Sequence, residues 1–280
     1  MTTENSGGGA VNQLRSLELL WGNSERPRRG PKPRLSIDRI VATAIEIADA
    51  EGLEALSMQR ISGDLGYTTM SLYRYVPSKA QLLDVMIDRV VGQPPVVSEA
   101  SPSDWRAQVE GIAWGMWQVF IRHRWLTSVT FTSPPIGPNH LAWMEVGTSA
   151  FTNVGLSDDE AFASFAFLQS AVRDWARLEI DTGLGDLDSE TTGEGERSGA
   201  QSERAYATAL WTYAAPENYP TLARLVSEGM FDPLEQPGAG DDAAGSTDMD
   251  LGRASFAFAI GFPLHLFLDG IERYVAAKHA

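Results

Sequence analysis

The chain has 280 residues, no cysteine and a formal net charge of -15, from 22 Lys+Arg against 37 Asp+Glu. That length holds one large domain or two smaller ones with a substantial core, and the missing cysteine excludes disulfides, zinc-thiolate sites and a thiol nucleophile. No apolar run approaches the roughly 20 residues of a membrane span, and Met1 to Ala10 lacks the apolar core of a secretory signal, so a cytoplasmic protein is expected.

Residues 1–35 read as a flexible N-terminal extension. Within it, "VNQLRSLELLW" (Val11 to Trp21) spaces Leu14, Leu17 and Leu20 as a short helix would. The proline-rich "GNSERPRRGPKPRL" that follows carries Arg26, Arg28, Arg29, Lys32 and Arg34, opposed only by Glu25. This arm has two readings: insertion into a DNA minor groove, or a solvated tail that adds nonspecific affinity. Residues 1–95 balance 11 Lys+Arg against 11 Asp+Glu, whereas residues 96–280 set 11 against 26. The acidity therefore belongs to the back of the chain, and the pI gives no ground for excluding a nucleic-acid partner at the front.

Residues 36–92 form the first periodic block. Ser36 is placed to cap a helix with Ile37, Ile40, Val41, Ala44, Ile45 and Ala48 on one face, ending at Gly52. Ser57 caps a second helix carrying Met58, Ile61 and Leu65, closed by Gly66. A third, over Thr69 to Tyr75, is stopped by Pro77. Ser78 and Gln81 make a capping box that opens a fourth helix with Leu82, Leu83, Val85, Met86 and Val90. Two short helices joined at a glycine after a longer one have the layout of a helix-turn-helix, although the same pattern occurs in ordinary bundles.

The run "LSMQRISGDLGYTTMSLYRYVPSKAQLLDVMIDRV" resembles the DNA-binding domain of the TetR/AcrR (tetracycline-repressor-like) transcriptional regulators. The matched positions are Glu51-Gly52, Leu56-Ser57, Ile61, Leu65-Gly66, Leu72-Tyr73, Tyr75-Val76, Ser78-Lys79 and Leu82-Leu83. The resemblance implies a DNA contact set. Gln59 falls where tetracycline repressors read a base with Arg, and Gln would favour adenine over guanine. Thr69, Met70 and Ser71 match the start of the recognition helix, and Met70 offers only apolar contact. Tyr73 matches a backbone- or base-contacting position, Tyr75 and Lys79 match phosphate-contacting ones, and Ser57 and Thr68 are candidate phosphate ligands.

Beyond residue 103 every periodic segment is helical: Asp104–His123, His140–Asn153, Ser157–Ile180, Gln201–Trp211, Tyr219–Gly229 and Leu251–Lys278. Residues 181–200 and 233–250 are acidic, glycine-rich and read as loops. The expected fold is all-α, with a helix-turn-helix domain at 36–92 and a larger helical domain at 104–280. Aromatic residues crowd the latter and fit either a plain core or a cavity for a flat apolar ligand. The resemblance implies a small-molecule effector, for which Trp114, Trp117, His123, Trp143, Phe165 and Arg177 are candidate contacts. Ser157–Ile180 and Leu251–Lys278 are apolar on more than one side and are the candidate homodimer helices, since a two-fold dimer sets recognition helices ~34–36 Å apart on DNA.

These readings combine into a ligand-responsive, dimeric repressor of a palindromic operator. The alternative is an orphan DNA-binding or adaptor protein without an effector. An enzyme is disfavoured: there is no metal-spaced histidine pair, phosphate loop or nucleophile elbow. No cofactor, metal or membrane partner is implied.

Overall fold

The computed structural model describes residues 17–21, 35–95, 104–130, 135–182, 205, 208–229 and 260–278. Among them there is no strand, and no helix is long and apolar enough to cross a membrane. The helices are α1 (Ile37–Glu51), α2 (Met58–Leu65), α3 (Thr69–Tyr73), α4 (Lys79–Val91), α5 (Trp105–Arg122), α6 (Pro138–Thr152), α7 (Asp158–Thr182), α8 (Pro220–Ser227) and α9 (Phe262–Lys278). Residues 17–21 and 208–213 are also helical.

Serine and threonine start each of the first four helices. Ser36 Oγ accepts from the Arg39 N–H, Ser57 Oγ from Arg60, Thr68 Oγ1 from Ser71 and Ser78 Oγ from Gln81. Each bond satisfies a donor that the helix itself leaves open. Gly66 ends α2 in the left-handed region (φ +73°), and the Tyr67 N–H returns to the Ser62 carbonyl at 2.9 Å. That reversal brings α3 back across α2.

Three differences from the expected pattern have local causes. α3 stops at Tyr73 rather than Tyr75, and Arg74 and Tyr75 continue as a turn in which the Tyr75 and Val76 N–H groups both return to the Leu72 carbonyl ahead of Pro77. The capping box at Ser78 is half formed: the Gln81 side chain is buried in the core with neither amide atom hydrogen-bonded, instead of reaching back to Ser78. Ile47, rather than Ile45, completes the fully buried stripe of α1.

The core of the reading head contains Ile40, Val41, Ala44, Ile61, Leu72, Val76, Leu82 and Met86, all fully buried. Each large aliphatic side chain so buried contributes about 1.5–3 kcal/mol. This core exceeds the expected 36–92 boundary at both ends. Leu35, assigned from sequence to the flexible extension, is buried in it, and Leu19 and Leu20 pack on its edge. Trp125, Leu126 and Val129 also enter it, from the 3₁₀ turn Arg124–Ser128 that follows α5. Of the extension, only residues 17–21 and Leu35 are among the described residues, so the basic arm lies outside them.

The chain divides into two compact units, residues 1–173 with 267–280, and residues 174–266. In the first, α6 packs on both α4 and α5. Small residues let it approach: a Cβ at Gly147 would stand 2.1 Å from the Phe165 ring, and one at Gly115 would stand 2.9 Å from the Trp143 indole. The C-terminal part of α9 runs against the start of α7, where Glu160 receives the Tyr274 hydroxyl and the Lys278 ammonium. Glu160 also closes a full capping box with Ser157, and these donors lower its pKa to about 2. Arg106 on α5 pairs with Asp269 and Glu272 of α9. In the second unit, Pro220 opens α8, Val226, Ile260 and Leu264 are buried, and Trp211 and Tyr213 are exposed.

Candidate nucleic-acid interface

α3 is five residues long and is held by one buried side chain, Leu72, so its other residues are available for presentation. Met70 is 73% exposed and Tyr73 42%. Thr68 is exposed, whereas Thr69, Ser71 and Tyr75 are half-buried, the last against the head core. Gln59 in the first turn of α2 and Lys79 at the first position of α4 are both exposed. Ser57 is exposed, but its oxygen already serves as the α2 cap, which leaves its proton for an outside acceptor.

The hydroxyls on this surface are tied to each other. Thr68 Oγ1 and Ser71 Oγ are 2.9 Å apart, and Ser62 Oγ lies 3.1 Å from Thr69 Oγ1 and 2.9 Å from the Gln59 carbonyl. Arg60, outside the contact set implied by the sequence, braces α2 against the end of α1 by pairing with Glu51 at 2.8 Å and Asp64 at 3.2 Å. With two carboxylates on it, Arg60 acts as a strut.

The six residues singled out for an effector do different things. Trp117, Trp143 and Phe165 are buried, Trp114 is half-buried, and Arg177 is exposed in the second unit, paired with Asp181. His123 faces the reading head: its Nδ1 is 2.8 Å from Asp49 Oδ1, the carboxylate oxygen that also accepts from Trp125 Nε1 at 2.7 Å. Trp143 donates its indole N–H to the carbonyls of Val91 and Gly92 at 3.3 and 3.0 Å, capping the C-terminus of α4. Arg173 donates to the carbonyls of Thr127 and Val129 and holds the segment that enters the head core.

A junction that no short-range pattern reveals lies at Asp88, near the end of α4. Its Oδ1 accepts the backbone N–H groups of Asn139 and His140, each at 3.1 Å. Asp88 thereby caps the N-terminus of α6 while Trp143 of α6 caps α4. The chain preceding α6 is also tied down, because Trp21 Nε1 donates to the Ile136 carbonyl at 2.9 Å. Asp88 is 8% exposed, and burial raises its pKa above the ordinary 3.8 despite the N–H bonds and Arg89, which pull the other way. His140, its Nδ1 buried without a partner, has its pKa lowered from 6.5 by burial.

Relatives of known type share this architecture. Residues 40–86 match the family description "Bacterial regulatory proteins, tetR family", and residues 99–235 match "Tetracyclin repressor-like, C-terminal domain". The HTH-type transcriptional repressor DrrR1 of Streptomyces coeruleorubidus is 37% identical over 284 aligned residues, covering 99% of this chain and 91% of that protein. ActR of Streptomyces coelicolor, solved without ligand, has a TM-score of 0.64 at 25% identity, covering 89% of this chain and 100% of ActR. Its complex with actinorhodin gives 0.62 at 27% identity, covering 86% and 96%. TetR-type regulators act by binding DNA rather than by catalysis. A capped three-helix reading head joined to a larger helical domain, with these matches over nearly the whole chain, means that this protein belongs to the TetR family of bacterial transcriptional regulators.

Proposed function

We propose that the chain is an effector-responsive repressor that binds a palindromic operator as a homodimer. The carrying observation is that Gln59, Met70, Tyr73 and Lys79 are exposed on short helices whose other faces are locked in one core. Gln59 and Met70 read base edges, Met70 by apolar contact with a thymine methyl; Tyr73 and Lys79 hold phosphates, assisted by Ser57 and Thr68. Thr69 and Ser71 belong to the same surface, and Tyr75 has its hydroxyl as the contact group. The arm residues Arg26, Arg28, Arg29, Lys32 and Arg34 add phosphate affinity and steepen the salt dependence.

Dimerisation runs through α7 and α9. This is supported by exposed Phe162 and Phe167 on α7, and by Phe262, Leu266 and Tyr274 on α9. A small apolar or aromatic effector is supported by the tryptophans of α5 and α6 and by ActR having been solved with actinorhodin. Effector binding acts through its unequal affinity for two placements of α4. Two measurements test the proposal: sedimentation of the full chain, alone and with an operator enriched from random duplex DNA, and a thermal-shift screen of planar apolar compounds. A monomer on a non-palindromic site would defeat the dimer, and an absence of any stabilising compound would favour an orphan regulator.

A further inference from the structure

The hydrogen-bond chain Thr69–Ser62–Gln59 has a direction that can be worked out atom by atom. The Gln59 carbonyl carries no proton, so the 2.9 Å bond must use the single hydroxyl proton of Ser62. Ser62 Oγ therefore has nothing left to donate. Its 3.1 Å contact with Thr69 Oγ1 then requires that Thr69 donate. Ser62 is 4% exposed, so no solvent competes to reverse the order. With its only proton turned inward, half-buried Thr69 can offer an outside partner lone pairs alone. The neighbouring pair behaves differently: Thr68 and Ser71 share one proton between their oxygens at 2.9 Å and keep the other, so they can still donate.

We propose that Ser62 is a positioning residue that fixes Thr69 as a hydrogen-bond acceptor toward DNA. The operator base that Thr69 meets then presents an exocyclic amine, adenine N6 or cytosine N4, since these are the donors of the major-groove edge. Guanine O6 and N7, thymine O4 and phosphate oxygens need a donor, which Thr69 does not have. Because Ser62 is anchored on the Gln59 carbonyl, the same chain sets the start of α3 against the first turn of α2. The spacing of two readers is thus held by one buried hydroxyl. The inference rests on the DNA-binding reading above and deepens it.

The test uses the full chain and an operator enriched from a random duplex pool. Within one half-site, each adenine is replaced in turn by purine, which lacks the 6-amino group, and each cytosine by 2-pyrimidinone, which lacks the 4-amino group. Affinity is measured for the parent, Thr69→Val, Thr69→Ser and Ser62→Ala. One position should lose about three- to tenfold on amine removal in the parent and in Thr69→Ser, and show no such loss in Thr69→Val. Ser62→Ala frees the Thr69 proton; repeating the enrichment with it should change the selected base at that position alone. Circular dichroism and the thermal midpoint check that the variants stay folded. The inference is overturned if no position separates the parent from Thr69→Val, or if Ser62→Ala selects the parent's base everywhere. A pool that yields no enriched sequence defeats the DNA-binding reading itself, whereas enrichment with a flat amine scan defeats this inference alone.

Discussion

Asp88 and Asn139 are joined by three hydrogen bonds. The Asp88 carboxylate accepts the Asn139 backbone N–H, and the Asn139 side-chain amide donates back to the Asp88 carbonyl at 2.8 Å and to Oδ2 at 3.1 Å. One side chain thereby satisfies donors at the start of α6, while the other ties up a carbonyl near the end of α4. With Trp143 on the Gly92 carbonyl, the two helices cap each other. A displacement of α6 must therefore move α4 or break several buried hydrogen bonds together.

Asp88→Ala should lower stability by about 1–3 kcal/mol, the penalty for leaving buried N–H groups unpaired. Asp88→Asn should do less harm, because an amide oxygen still accepts from Asn139 and His140. The measurement is urea unfolding at neutral pH, with the slope checked for constancy. Equal losses for the two variants would mean that the charge, not the acceptor, matters.

The two perturbed groups at this junction act oppositely on pH dependence. His140 has a folded pKa below its ordinary 6.5, so the stability it contributes is present above 6.5 and is lost as pH falls through the lowered value. Asp88 has a folded pKa above 3.8, so its contribution is present below 3.8 and is lost as pH rises through the raised value. Thermal midpoints from pH 7 downward should fall less steeply in His140→Leu than in the parent. Parallel curves would remove His140 from the account.

On the DNA side, Lys79→Ala should weaken operator binding and reduce the slope of log affinity against log salt by about one unit. Tyr73→Ala should weaken binding without altering the oligomeric state. Gln59→Ala should relax preference at a single operator position rather than across the site. Gel-shift titrations at several salt concentrations and repeated enrichment separate these outcomes. An unchanged affinity for both Tyr73→Ala and Lys79→Ala would overturn the contact assignment.

What could be read from sequence was what acts over three or four residues. The serines at 36, 57, 78 and 157 cap helices because the N–H that donates to each lies three positions away, and the Gly66 turn declares itself by its neighbours. What could not be read was whatever joins distant segments. Asp88 meets Asn139 across 51 residues, and Trp125, Leu126 and Val129 complete a core whose other buried members precede residue 92. An Asp in a helix and a Trp in a loop carry no mark of such partners. The aromatic residues show the same limit: Trp143 and Phe165 pack against Gly115 and Gly147 on neighbouring helices, which spacing along one helix does not show.

Two glycines separate strain from crowding and give the sharpest stability test. Gly66 has φ +73° and nothing within 4 Å of a Cβ built on it, so Gly66→Ala meets only the left-handed backbone penalty of about 1–2 kcal/mol. Gly137 has an ordinary φ of -70°, but a Cβ there would stand 2.0 Å from Asp88 Oδ1. Gly137→Ala must push the carboxylate off the α6 N-terminus, with a loss of about 1–3 kcal/mol. The two losses should respond differently to Asp88→Ala. Removing the carboxylate relieves the clash at Gly137, so the double variant should be more stable than the sum of the single losses implies. Gly66→Ala, strained by its own backbone, should add to Asp88→Ala without interaction. Additivity at both glycines in denaturant titrations would show that Asp88 does not occupy the space above Gly137.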